Sequence, residues 1–150
     1  GGGMYCYVGG TIESCTIVSN PAVYAGAGPG GLSGSYGTTI QNTIIYFNTA
    51  DNGSNCYNNG IAGVTYSHCC TAPTNSLPGS DNIENDPLFI NRSTGNWHLR
   101  WKSPCVNTGT NQDWMSGAKD LDGNDRIVRD IVDMGTYETL VPPRTIITIR

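Results

Sequence analysis

GGLSGSYGTTIQNTIIYFN, residues 30–48, is a second copy of GGMYCYVGGTIESCTIVSN, residues 2–20. Ile40 in the second copy follows Ile12 in the first by 28 positions, and the same offset gives seven identities in nineteen aligned positions. A fixed period of this size is typical of stacked repeats, in which each unit buries its apolar side against its neighbours.

The shared core of the two copies predicts a strand with corners. It is too short for a helix, it is rich in β-branched residues, and glycine and asparagine bound it. We therefore expect an all-β fold, a right-handed parallel β-helix (a solenoid of a few coils), with almost no helix. Ile12 is expected to stack on Ile40, and Ile17 on Ile45, at the inner face.

Corners and a third rung are expected around these strands. Asn42 and Asn48 are placed at corners, because asparagine tolerates left-handed backbone and bonds to neighbouring backbone groups. Residues 61–69 predict a weaker third rung, with Val64 in the place of Ile40, after which the period fails.

The rest of the chain divides by its regularity. Residues 1–80 are expected to hold the coils, 81–138 irregular C-terminal coils and a cap, and 139–150 an extended tail. Short strands are predicted at Pro87–Asn91 and Asn96–Lys102, where apolar and polar residues alternate. The chain begins inside a repeat, so we expect a piece of a longer protein whose targeting signals lie outside it.

Composition argues against two classes of partner. Charged residues make up 13% of the chain and the formal net charge is −4 at pH 7, which argues against nucleic acid. No run of apolar residues approaches the roughly 18 that a transmembrane helix needs, so no membrane span is predicted.

The six cysteines are typical of an exported protein, and they place the chain outside the cell or at the cell surface. A disulfide from Cys69 or Cys70 to Cys105 is favoured, because Cys105 lies in a less regular segment that a bridge would hold. About fifteen pairings are open if all six are bridged, and buried thiols in the core are the alternative for Cys6 and Cys15. With two histidines and no CxxC motif, a zinc site is not expected.

Five motifs in the second half of the chain carry a family resemblance. They are DPLFI (86–90), GNWHL (95–99), SPCVNTG (103–109), DLDGNDRIV (120–128) and DMGTYE (133–138). In this order they resemble the choice-of-anchor Q domain, which closes right-handed parallel β-helix proteins on the surface of environmental bacteria. The resemblance implies an exported bacterial surface protein and supplies no catalytic residues. The last twelve residues depart from such proteins, because they contain neither an LPxTG-like motif nor an apolar anchor helix.

The turn DLDGND is the candidate metal site. Asp120, Asp122, Asn124 and Asp125 place oxygen ligands around a glycine, as at the start of compact calcium loops. An EF-hand would need glutamate at the twelfth position, where Ile131 stands. A structural calcium ion is therefore weighed against a β-turn whose carboxylates bond to backbone N–H groups or to the nearby arginines. No other cofactor is expected.

No catalytic residue is predicted. Asp133 and Glu138 are the carboxylate pair weighed for glycoside cleavage, which needs an open groove between two carboxyls. Both lie in the expected cap among packing residues. The repeat flank from Thr11 to Asn48 carries a single charge, Glu13, and no histidine, lysine or arginine.

Five residues outside these groups are assigned more simply. His68 lies beside two cysteines, but neighbours on a strand point to opposite faces and do not form a nucleophile pair. Trp114 is the candidate platform for stacking on sugars, whereas Trp97 is expected in the core. Asn52 and Asn91 begin Asn-x-Ser sequons and are candidate glycosylation sites.

Together these features predict a non-enzymatic structural or adhesive surface module. The alternatives are a fragment of a polysaccharide lyase or hydrolase, and a carbohydrate-binding module. The tail adds a hypothesis of assembly through its β-prone residues, which are Thr145, Ile146, Ile147, Thr148 and Ile149. Laid on the exposed edge of the first coil of another copy, this strand would link copies head to tail into a homo-oligomer or filament.

Overall fold

The computed structural model describes residues 2–23, 28–51, 54–56, 63–75 and 77–140. Within these ranges the chain is all-β, as predicted, and its helical parts are two single turns of 3-10 helix, Arg92–Thr94 and Asp113–Met115. None of the helices in these ranges is long and apolar enough to cross a membrane. The strands, in chain order, are β1 Met4–Cys6, β2 Gly10–Glu13, β3 Thr16–Val18, β4 Pro21–Ala22, β5 Leu32–Gly34, β6 Thr38–Gln41, β7 Ile44–Tyr46, β8 Thr49–Ala50, β9 Thr65–Ser67, β10 Cys70–Thr71, β11 Gly79–Ser80, β12 Phe89–Asn91 and β13 Asn96–Leu99.

Most of the strands stack in parallel ladders. The β2 ladder consists of β2, β6, β9 and β11, and the β3 ladder consists of β3, β7 and β10. There are two further parallel pairs. β1 pairs with β5, which are the first strands of the first two repeats, and β4 pairs with β8, which are the last strands of these repeats. β12 and β13 pair antiparallel. Each of the first two repeats therefore contributes one strand to every ladder.

The register of the ladders follows the 28-residue repeat. Ile12 pairs with Ile40 in the β2 ladder, and Ile17 pairs with Ile45 in the β3 ladder. All four side chains are buried in one core cluster. Burying an isoleucine contributes about 1.5–3 kcal/mol, so the paired isoleucines are a main source of the stability of the stack. The predicted pairing is confirmed.

The third repeat joins the stack in a different register from the predicted one. Tyr66 in β9 pairs with Ile40, whereas the sequence pattern put Val64 in that place. Val64 is also buried in the same cluster. Residues two apart in an extended chain face the same side, so the apolar pattern did not distinguish Val64 from Tyr66.

The repeated glycine pair at the start of each copy is explained by close stacking. A Cβ atom added to Gly3 would lie 2.7 Å from the carbonyl oxygen of Gly31. One added to Gly31 would lie 2.2 Å from the carbonyl oxygen of Asn55. Glycine is therefore required where the backbones of successive repeats approach each other.

Left-handed residues turn the chain at equivalent places in successive repeats. Ser14, Asn42 and His68 have φ angles of 51°, 49° and 50°, and each follows a strand of the β2 ladder. Asn42 therefore occupies the predicted corner. At the second predicted corner the left-handed residue is Phe47, with φ of 57°, and Asn48 turns inward instead.

Asn48 belongs to a stack of asparagines that joins three repeats. Its Oδ1 accepts hydrogen bonds from the backbone and side-chain nitrogens of Asn20, both at 3.0 Å. Its own backbone N–H donates to Oδ1 of Asn55 at 3.0 Å, and its side-chain nitrogen donates to the carbonyl of Ile17 at 2.9 Å. Because Asn48 is buried, these bonds satisfy polar groups that water does not reach.

The C-terminal part of the chain covers the outer face of the β3 ladder. Ile44 and Ile45 are adjacent in β7, and both are buried, because one faces the core between the ladders and the other faces outward under this cover. The outer cluster consists of Ile44, Cys70, Phe89, Leu99, Cys105 and Met134. The β3 ladder is thus packed on both faces.

Hydrogen bonds tie this cover to the first two repeats. The backbone N–H of Gly135 donates to the carbonyl of Asn42 at 2.7 Å, and that of Thr136 donates to Oγ1 of Thr16 at 3.1 Å. The sequence predicted that residues 81–138 would close the end of the stack as further coils. In the described chain Ile83 continues the stack through a parallel bridge to Cys70, whereas the residues of the outer cluster from Phe89 onward lie against the outer face of the β3 ladder. The predicted domain limits stay a prediction.

We expect Asn48→Ala to lower the free energy of unfolding by roughly 2–4 kcal/mol, because it leaves several buried N–H and C=O groups without partners. Urea unfolding followed by circular dichroism measures the change. Asn85→Ala is the matched control, since Asn85 is exposed, and it should change stability little. Equal effects of the two substitutions would show that the asparagine stack does not stabilise the fold.

Candidate functional site

The turn predicted to bind calcium is organised by one carboxylate. Asp120 Oδ1 accepts from the backbone N–H groups of Asp122 and Asn124 at 3.0 and 2.8 Å. Its Oδ2 accepts from the side chain of Asn124 at 3.2 Å and from the backbone of Glu138 at 2.9 Å. Burial opposes the ionisation of Asp120, but these hydrogen bonds outweigh it and hold its pKa below the ordinary aspartate value.

The other two carboxylates of the turn have different partners. Asp122 Oδ2 lies 2.7 Å from Nε2 of His98, and Asp125 Oδ1 lies 2.5 Å from Nζ of Lys119. Among the described residues, no group of three or more histidine, cysteine, aspartate or glutamate side chains is arranged to hold a metal ion. The geometry is that of the hydrogen-bonded turn, and calcium binding by the residues of this turn stays a prediction.

A buried network of ionisable side chains lies beneath the turn. Nη1 of Arg126 lies 3.3 Å from Oε1 of Glu138, and both side chains are almost wholly shielded from water. Nη2 of Arg126 donates to the carbonyl of Gly135 at 2.6 Å. Asp133 accepts from the backbone of Asn107 at 2.7 Å and from the backbone of Thr139 at 2.8 Å. The network therefore fixes the last described segment to the rest of the cover.

Burial sets the protonation of this network. It raises the pKa of Glu138 to about 8, with a further contribution from the charge of Asp133, while Arg126 acts in the opposite direction. Burial also raises the pKa of Asp133. Both carboxyls are closed off from solvent, and the backbone N–H of Asp133 donates to Glu138. This pair therefore lacks the open groove that glycoside cleavage requires.

His98 forms a contact that sequence reasoning missed. Its Nδ1 lies 2.7 Å from Oδ1 of Asn96, its Nε2 meets Asp122, and its ring stacks on Tyr137 with centroids 4.1 Å apart. Both ring nitrogens face oxygen acceptors. No spacing rule links His98 with a turn 24 residues away, so nothing in the sequence pointed to this contact.

The predicted disulfide is wrong, because all six cysteines are free thiols. Cys70 and Cys105 do lie together, and their hydrogen bond, with burial second, raises the pKa of Cys70. Cys69 lies on the opposite face, in the inner core, where burial raises its pKa to about 12. Buried thiols that donate to carbonyl oxygens, as Cys70 does to Asn85 at 3.2 Å, behave as small core residues.

The other predicted residues are dispersed. His68 lies at a left-handed corner and contacts Ser67, away from the thiol of Cys69. Trp97 packs edge-on against Phe89 in the outer cluster, as expected for a core residue. Asn91 is exposed and caps the Arg92–Thr94 turn, so its sequon is accessible, and its use stays a prediction.

The first repeat presents an open edge. Strands β1, β2, β3 and β4 each stand at one end of their ladder, so in the described chain they pair on one side only. Ile12 and Ile17 remain 8% exposed, whereas their partners Ile40 and Ile45 are 0% exposed. The core is therefore less completely covered at this edge than one repeat further on.

A groove runs beside this edge. It has a volume of about 390 Å³ and lies between the residues of β3 and the cover, where Trp97, Leu121 and Tyr137 form its other wall. Exposed apolar side chains, including Tyr5 and Val8, lie on the same repeat. Exposed apolar surface beside unpaired strand edges is a feature of surfaces that accept a further strand.

The strand expected at Thr145–Ile149 and the sequon at Asn52 lie outside the described residues.

Comparison of the chain with protein-family models, with curated proteins and with solved structures gave no match. The resemblance to the choice-of-anchor Q domain stays a prediction.

The raised pKa of Glu138 predicts a dependence of stability on pH. A carboxyl that keeps its proton in the folded state supports stability at low pH, and this support is lost as the pH rises towards about 8. We expect the free energy of unfolding in urea to fall by roughly 2–4 kcal/mol between pH 5 and pH 8. The glutamine in Glu138→Gln cannot ionise, so the free energy of unfolding of this variant should fall distinctly less over the same pH range.

Glu84→Gln is the matched control. Hydrogen bonds from the backbone and side chain of Thr74 lower the pKa of Glu84, so it stays ionised throughout this range and its replacement should leave the slope unchanged. A slope for Glu138→Gln equal to that of the unmodified protein would contradict the assignment.

Proposed function

We propose that the repeats form part of a right-handed parallel β-helix that serves as a non-enzymatic structural module on a cell surface. In this proposal the module extends by strand addition at the edge formed by β1, β2, β3 and β4. The observation that carries the proposal concerns the four consecutive strands of the first repeat. Each pairs in parallel with a strand of the second repeat, and in the described structure each is paired on that side only.

The chemistry of this edge favours a strand as its occupant. Unpaired backbone N–H and C=O groups along an edge strand are a template for pairing with another chain. An added strand in the same register would also cover Ile12 if it paired with β2, or Ile17 if it paired with β3, as the second repeat covers them from the other side. Strand addition thus satisfies backbone groups and buries apolar surface in one step.

The segment Thr145–Ile149 of another copy is the proposed donor. Its sequence alternates so that Thr145, Ile147 and Ile149 share one face and Ile146 lies on the other. A strand of this length is not stable alone in water and needs an edge to pair with. Because donor and acceptor are different surfaces, the contact is heterologous and propagates into a filament.

One sequence feature supports the location at the cell surface. The ordered motifs from DPLFI to DMGTYE resemble the domain that closes β-helix proteins of bacterial surfaces. The free cysteines give no support to an oxidising compartment, so the location depends on the resemblance.

The assembly is tested by sedimentation velocity and electron microscopy of the 150-residue chain over increasing protein concentration. We expect fibres that disappear in Ile147→Lys, because a charge on the inward face of the donor strand opposes its burial. Ile146→Lys is the matched control and should still assemble, since the proposed pairing turns this side chain outward. A chain that stays monomeric at high concentration, or fibres that persist in Ile147→Lys, would refute the proposal.

The non-enzymatic part of the proposal has its own test. The protein is incubated with a panel of acidic polysaccharides, and unsaturated ends and reducing ends are measured over time. We expect neither product to accumulate above the rate of a heat-denatured control. Formation of either product would favour the lyase or hydrolase alternative instead.

A further inference from the structure

A second cavity lies where the corner of the first repeat meets the cover. It has a volume of about 250 Å³ and is bounded by Glu13 and Ser14 on one side and by Trp114, Lys119 and Arg126 on the other. The cavity adjoins the groove at the open edge, since Leu121 and Thr136 line both. Clefts between packed parts of a chain are common sites for small ligands.

Trp114 gives this cavity an aromatic wall. It belongs to the Asp113–Met115 turn, which is anchored by the buried side chain of Met115, while Trp114 itself is 48% exposed. The other tryptophans are placed differently. Trp97 packs in the outer cluster, and the ring of Trp101 is covered by Nζ of Lys102 at 4.7 Å.

Two polar groups in the cavity wall lack partners. Oγ of Ser14 and Nε of Arg126 are buried and make no hydrogen bond within the described structure. Arg126 is only 2% exposed. Buried polar groups are nearly always hydrogen-bonded, so a ligand hydroxyl that reached Ser14 would satisfy a group that the protein itself leaves unpaired.

The charges around the cavity compensate each other. Glu13 and Asp120 in the wall are acidic, and Lys119 and Arg126 are basic. The described wall therefore has no excess of one sign of charge that would select an anion or a cation. The cavity therefore suits a neutral ligand with hydroxyl groups.

We propose that this cavity binds one pyranose unit of a neutral glycan. The apolar face of the sugar ring stacks on Trp114, as sugars do on exposed aromatic rings, and one hydroxyl bonds to Ser14 after rotation of its side chain about χ1. The volume is below the roughly 300–1,000 Å³ of pockets for larger ligands, which limits the site to a single ring. The proposal does not depend on filament formation.

The test follows the indole N–H resonance of Trp114 by NMR during titration with methyl glycosides. Methyl β-D-glucoside, methyl β-D-galactoside and methyl α-D-mannoside are the neutral probes, and methyl β-D-glucuronide is the charged comparison. We expect a saturable shift with at least one neutral probe, at millimolar concentration, and weaker binding of the glucuronide. No shift with any neutral probe, or tighter binding of the glucuronide, would overturn the proposal.

Variants locate the binding. Trp114→Ala should abolish binding. Trp114→Phe keeps an aromatic wall and should retain part of the binding, which would show that the loss in Trp114→Ala does not come from misfolding. Because both variants lack the Trp114 indole, their binding is measured by saturation-transfer NMR signals of the sugar. Trp101→Ala is the matched control, because Trp101 is 62% exposed but lies outside the cavity, and it should bind normally. Equal losses in Trp101→Ala and Trp114→Ala would overturn the assignment.

Ser14→Ala separates binding from folding. The hydroxyl of Ser14 makes no hydrogen bond in the free protein, so its removal should leave the melting temperature unchanged while weakening sugar binding several-fold. Unchanged affinity would show that Ser14 does not contact the ligand and would refute its proposed role.

Discussion

In-register parallel pairing of successive repeats is the constraint on which the rest of the structure depends. Once Ile12 lies on Ile40, equivalent residues must occupy equivalent places above one another. Positions where backbones approach must then be glycine, as at Gly3 and Gly31. Polar side chains that repeat inside the stack, such as Asn48, find their partners in the neighbouring repeats. Sequence repetition and hydrogen bonding are thus two consequences of one geometry.

Sequence reasoning succeeded where a residue's role is set by this repeat and failed where it is set by contacts between distant segments. The offset of 28 identified the strand pairs and the corner at Asn42 directly. It did not show that Ile44 faces a cover, because the covering residues, such as Met134, follow no period. Tyr66, and not Val64, lies beside Ile40. Residues two apart share a face, so hydrophobicity alone does not show which of the two pairs with Ile40.

The candidate sites show the same division. The hydrogen-bonded turn at Asp120 could be predicted from the local sequence, since its carboxylate bonds to backbone groups two and four residues ahead. The contact of Asp122 with His98, and the cavity between Ser14 and Trp114, join segments that only the folded chain brings together. Cys70 and Cys105 were correctly associated, since both lie in the outer cluster, but they are free thiols and not a covalent bridge.

The long reach of the cover also determines how the chain folds during synthesis. Thr136 bonds to Thr16 across 120 residues, and Ile44 is shielded by residues from Phe89 onward. Such contacts give a high contact order and slow folding. At a synthesis rate of about 5–20 residues per second, the two-sided sheet emerges seconds before the segment that shields it. The risk of aggregation is therefore greatest between the synthesis of the strands and the synthesis of the cover, when the outer face of the β3 ladder is exposed.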